Sequence, residues 1–159
     1  MFFYRIAGAL ILSFSGFGAA FMINSRLSRT LRQTEGLIAL LRFIRSQVEC
    51  FALPAARIIA VCDDELLRSC GFEGGEPPSD FCALFESFSI SDAEVAHLMR
   101  GFSASFGRCY REEQIKECDY YIDLLRDRRE RLAETIPSKK KVNSTLCVSS
   151  AIALIILLF

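Results

Sequence analysis

The sequence predicts an all-α protein, an antiparallel helical bundle set between an N-terminal and a C-terminal transmembrane helix. Three observations carry that prediction. Apolar residues recur at three- and four-residue spacing in successive stretches, and no stretch alternates with period two over a useful length. Two uncharged apolar segments, residues 6–23 and 142–159, each reach about 18 residues, the shortest length that crosses a bilayer core as a helix. Nearly all of the 19 basic and all of the 19 acidic side chains fall between them, which divides the 159 residues into a first anchor at 1–24, a middle domain at 25–141 and a last anchor at 142–159.

The first segment is rich in Gly, Ala and Ser beside Leu, Ile and Phe. A cleaved signal peptide would need its positive charge in front, yet only Arg5 and the amino terminus precede it, whereas Arg26, Arg29 and Arg32 follow. The asymmetry predicts a spanning helix whose second end is cytoplasmic. A long helix then carries Leu37, Leu41, Ile44, Val48 and Phe51 at spacings of 4, 3, 4 and 3, with Ile38, Ala39, Leu40 and Phe43 widening its apolar face. A helix apolar on more than one side is central to its bundle. Pro54 suits the first turn of a second helix, so the break near Ala52 and Leu53 is a corner. That helix carries Ile58, Ile59, Cys62, Leu66 and Leu67 and should end at Gly71.

Residues 71–78, GFEGGEPP, are too dense in Gly and Pro for regular structure. Ser79 or Asp80 can cap a short third helix with Phe81, Leu84, Phe85 and Phe88 on one face. Ser91 and Glu94 form an S-x-x-E capping box for a fourth, whose stripe is Val95, Leu98, Met99, Phe102 and Phe106 and whose stop is Gly107. Phe81, Phe85, Phe88, Phe102 and Phe106 are expected to meet across these two helices. The last helix has Ile115, Cys118, Ile122, Leu125, Leu132 and Ile136 along one seam, with Arg129 at the skipped position and opposite charges on the outer face. Lys139, Lys140 and Lys141 close the charged part and again place it in the cytoplasm, with both termini on the far side.

The balanced charge of the middle domain calls for no nucleic acid. Neither a G-x-x-x-x-G-K-[ST] nor a G-x-G-x-x-G loop occurs, and His97 is the single histidine, so no recognisable nucleotide site, cofactor site or catalytic dyad is expected. The seven cysteines, Cys50, Cys62, Cys70, Cys82, Cys109, Cys118 and Cys147, have no C-x-x-C pair; they read as reduced thiols, mostly in the core, rather than metal ligands or disulfides. The acidic run Asp63, Asp64 and Glu65 reads as a solvated face. Gly16 and Ala20 with Ser15 and Ala19, and Ser149 with Ala153, place small residues four apart in the two anchors, a pattern that suits association of transmembrane helices.

The stretch Phe106-Gly107-Arg108-Cys109-Tyr110-Arg111-Glu112-Glu113-Gln114-Ile115-Lys116 is more distinctive. Together with Arg26, Arg29, Leu31, Arg32 and Gln33, the corner Pro54 and the lysine-led apolar C-terminus, it resembles stage III sporulation protein AB of endospore-forming bacteria. Gln47 and Cys50 depart from the acidic residue and tyrosine frequent there in that family. The resemblance implies a soluble domain similar to the cytoplasmic bundle of the type II secretion inner-membrane platform protein. It also implies a partner, the stage III sporulation protein AA-like ATPase, together with other sporulation channel proteins, and a place in the mother-cell membrane around the forespore.

Such a scaffold needs no catalytic group. It needs rigid helices fixed to a lipid membrane and a polar face for a partner, and the polar part of the family-like stretch, Arg108, Tyr110, Arg111, Glu113 and Gln114, is the candidate face. The plainer alternative is that these residues only cap and start the last helix. If motion is transmitted, the stretch from Arg111 to Ile136, about 39 Å as a helix, is the lever. A competing reading is a membrane-tethered helical regulatory or ligand-sensing module, which requires a polar-lined cavity. An enzyme would require His97 or a cysteine in a cleft with altered ionisation.

Overall fold

Helical periodicity along the chain is realised as six helices among the described residues, with no strand: α1 (Phe2–Phe51), α2 (Ala55–Ala60), α3 (Asp64–Ser69), α4 (Phe81–Ser87), α5 (Ala93–Ser105) and α6 (Arg111–Leu158). The computed structural model describes the backbone everywhere except residues 1, 52, 108, 109 and 159. Side chains are described from 25 onward, apart from those residues and 139, 140, 143, 144, 146–148 and 150–158. Among the described residues no helix is long and apolar enough to cross a membrane. The side chains of 6–23 and most of those of 142–159, including the small-residue pattern of the anchors, lie outside the described residues.

The chain forms two compact units. One comprises Met1–Arg29 and Leu132–Phe159, the outer parts of α1 and α6. In it Ile136 is buried, Pro137 lies inside the continuous helix, and the hydroxyls of Thr145 and Ser149 donate to the carbonyls of Lys141 and Thr145, each at 2.9 Å.

The other unit, Thr30–Arg131, is a bundle around α1. Leu37, Ile38, Leu40, Leu41, Ile44 and Val48 are all buried, so α1 is central, as a helix apolar on more than one side must be. Ala39 and Phe51, expected on that face, are exposed. Around α1 are Ile58 and Ile59 of α2, Leu67 of α3, Phe81, Leu84 and Phe85 of α4, Val95, Met99 and Phe102 of α5, and Cys118, Ile122 and Leu125 of α6, in one apolar cluster. The phenylalanines meet as expected across α4 and α5: Phe81 lies edge-on to Phe106 at 5.2 Å between centroids, and Phe85 edge-on to Phe102 at 5.7 Å.

Local chemistry sets most of the boundaries. Pro54 stands at the N-cap of α2 and makes the expected corner. The single second helix of the sequence reading is in fact α2 and α3, because the Asp63 carboxylate accepts from the Glu65 N–H and caps a new helix. Its neighbours Asp64 and Glu65 occupy the first turn, where the helix dipole favours acids. Gly71, at φ +100°, ends α3 with the paired bonds Phe72 N–H to Leu67 carbonyl and Gly71 N–H to Arg68 carbonyl. Phe72 is buried rather than part of an exposed loop, bridging to Phe88 with the rings 6.3 Å apart. Asp80 caps α4. α5 begins one residue later than the capping box implies: Asp92 accepts from Glu94 and Val95, while the Ser91 N–H donates to Gln33 and is held outside the helix.

Candidate protein-interaction surface

The end of the bundle is built where α1 stops and α6 starts. The last carbonyls of α1 lack partners of their own, and Arg111, the first residue of α6, supplies them: its Nε donates to the Val48 carbonyl at 3.0 Å and its terminal nitrogen to the Glu49 carbonyl. Two further links tie α1 to α6. Arg45 donates to Asp119 at 2.7 Å while also pairing with Glu49, and Arg129, at the skipped seam position, donates twice to one Glu35 oxygen at 2.8 and 3.0 Å. As residue numbers rise along α1 their partners fall along α6, so the helices are antiparallel. These pairs are largely solvated and contribute about 0.2–1 kcal/mol each; they set register more than stability.

The candidate residues separate on this frame. Tyr110 is 86 % exposed and Glu113 is exposed. Gln114 is half-buried, its N–H donating to the Tyr110 carbonyl at 2.9 Å. Arg111 is a clasp between helices as well as a surface group, and Arg108 lies outside the described residues. Two hollows adjoin here: one of about 280 Å³ lined by Val48, Leu53, Pro54, Arg111 and Gln114, the other of about 690 Å³ lined by Glu49, Tyr110, Arg111, Glu112, Glu113 and Ile115. Of the charged flanks, Arg26, Arg29, Arg32 and Lys141 are exposed, and the side chains of Lys139 and Lys140 lie outside the described residues.

Two polar constellations escaped the sequence reading. Gln33 is 4 % exposed, and its carboxamide donates to the carbonyls of Cys70 and Ser89, each at 2.8 Å, and accepts from the Ser91 N–H at 3.1 Å. Its signal was present: Gln33 precedes Leu37 by four and falls on the buried stripe, where an amide must find partners. Arg128 joins α6 to the start of α5, pairing with Asp92 and Glu94 at 2.7 Å each. Burial works to raise the Asp92 carboxyl, but the hydrogen bond from Arg128, those from Val95 and Glu94, and the guanidinium charge outweigh it and hold the group below its ordinary value.

The thiols divide by position. Cys70 and Cys118 are buried, and burial pushes both up to about 12; Cys62, half-buried beside Asp63, is pushed up to about 11. Cys50 and Cys82 are exposed rather than in the core, and Cys109 and the Cys147 side chain lie outside the described residues. His97 is exposed. Among the described residues no group of three His, Cys, Asp or Glu side chains is placed to hold a metal ion.

Fold and surface define a class: an all-helical bundle with an open polar end and a phenylalanine-packed interior. Residues 83–159, from α4 to the chain end, match the family model of stage III sporulation protein AB. Over this part of the chain the match agrees with the resemblance read from the sequence. No curated protein and no solved structure matches the chain.

Proposed function

We propose that the chain is a noncatalytic membrane platform of the sporulation transenvelope channel and docks its secretion-type ATPase during endospore formation. The observation that carries this reading is the continuity of α6, which runs unbroken from the candidate surface at Arg111 to Leu158 in the apolar terminus. One continuous helix thereby includes both the polar start and the segment suited to lipid. The hydroxyls of Thr145 and Ser149, folded back onto carbonyls of their own helix, suit an apolar surrounding because they need no outside partner. By the positive-inside logic the bundle lies in the cytoplasm on the mother-cell side, and both ends lie beyond the membrane around the forespore. The ring-filled core of the Thr30–Arg131 unit favours a scaffold over a sensor that takes its ligand inside the core, since the buried polar side chains of Gln33 and Thr34 are already hydrogen-bonded within the chain.

Affinity purification of the tagged chain from sporulating cells is the test. The stage III sporulation protein AA-like ATPase should be recovered with it, and deletion should block spore formation. A chain recovered without the ATPase, from cells whose spores form normally in its absence, defeats the proposal. Topology is checked by thiol labelling of a cysteine introduced at Gly75, which should stay protected from impermeant reagent in intact cells.

A further inference from the structure

Resting on the platform reading, we propose that the two adjoining hollows at the α1–α6 end form one docking groove for a protein segment that carries Lys or Arg beside a large apolar side chain. The hollows share Arg111, the one cation among the described residues lining either of them. Its guanidinium is committed to the Val48 and Glu49 carbonyls, so it pairs with no carboxylate in the groove. The Glu49 carboxylate is held by Arg45. Glu112 and Glu113 are exposed on the larger hollow, and the ion pairs of the described residues leave both out.

Acids in a first helical turn are accounted for by the helix dipole alone. Exposed rings are not. Tyr110 is 86 % exposed and Phe51 is 65 % exposed, and both stand at this end, one immediately before α6 and the other closing α1. Tyr110 lines the larger hollow with Glu112 and Glu113, and an open ring beside unpaired carboxylates attracts a cation twice, by charge and by the ring face. The smaller hollow, walled by Val48, Leu53 and Pro54, gives an apolar neighbour of that cation somewhere to sit. Lipid phosphate and nucleic acid are repelled by the same carboxylates, which leaves a basic protein segment as the occupant.

The test uses the full chain in a neutral detergent and fluorescence anisotropy of two labelled amphipathic peptides, one of Lys and Leu and one of Glu and Leu. The Lys–Leu peptide should bind the unaltered chain, and E112Q/E113Q should weaken binding at least about tenfold. Y110A should weaken it several-fold. The control D64N/E65Q, at the exposed acids of α3, should leave binding unchanged. These substitutions fall on exposed side chains, and circular dichroism verifies that each variant is folded. Equal affinity for the two peptides, or equal loss in E112Q/E113Q and in the control, overturns the groove. Recovery of the ATPase by the E112Q/E113Q chain at the unaltered yield also overturns it while the platform reading stands; failure of the unaltered chain to recover the ATPase defeats the platform reading itself.

Discussion

At the scale of single residues, the Gln33 carboxamide satisfies three backbone groups drawn from the end of α3 and the link between α4 and α5. Gly71 makes room for it, since a Cβ there would stand 2.2 Å from Gln33 Nε2. Q33L strands the buried Cys70 carbonyl and frees the part-buried Ser89 and Ser91 backbone groups, and unfolding in urea should show a loss of about 1–3 kcal/mol, the cost of stranding a buried polar group. A loss within error would show that the carboxamide is dispensable. Asp92 adds a pH dependence with a definite sign. Its carboxyl is lowered in the folded chain, so its contribution is complete above the unfolded value of about 3.9 and is lost as pH falls through the lower folded value. Thermal melts from pH 5 downward should therefore show falling stability below about pH 4, with a shallower slope in D92N. Such residues are only half legible in sequence. The stripe placed Gln33 on the buried face, but its partners lie 37 to 58 residues away, and spacing carries no information about that distance.

At the scale of elements, the apolar periodicities identified most helices and their inward faces, because burial of a stripe is decided locally, but they merged α2 with α3 and turned the exposed Ala39 and Phe51 inward. Boundaries followed competition among caps. Asp63 and Asp92 act as caps where the sequence reading had a solvated acid and the residue after a capping serine. In the second case the reason is tertiary: the Ser91 N–H belongs to Gln33. Helix α6 poses the opposite case, since it passes through Pro137 without stopping. Proline has no N–H to give the carbonyl of Ala133 and crowds it, so this turn is weaker than its neighbours. P137A should strengthen it by about 3 kcal/mol, slowing amide exchange around residues 134–141 on the order of 100-fold. Unchanged exchange would show that the turn is already held by its surroundings. Of the candidate surface, the exposure of Tyr110 and Glu113 was readable from polarity. The clasp of Arg111 on α1 was not, because it depends on two helix ends meeting across 62 and 63 residues of chain.

At the scale of the molecule, the Thr30–Arg131 unit contains an apolar core fed by all six helices and by Cys70, Phe72 and Phe88 beside them. Expressed alone, residues 30–131 should fold, giving one cooperative urea transition by circular dichroism and by tyrosine fluorescence alike. Transitions that differ between the two probes would mean that the outer parts of α1 and α6 are needed for the core. The antiparallel order of Glu35 with Arg129, Arg45 with Asp119 and the α1 end with Arg111 has a mechanical consequence. Thr30 and Arg131 leave the unit on the same side, so a pull applied between them loads the links in series instead of sharing the force. The Glu35–Arg129 pair takes the strain first and the Arg111 clasp last, as in opening a zip rather than shearing a lap joint.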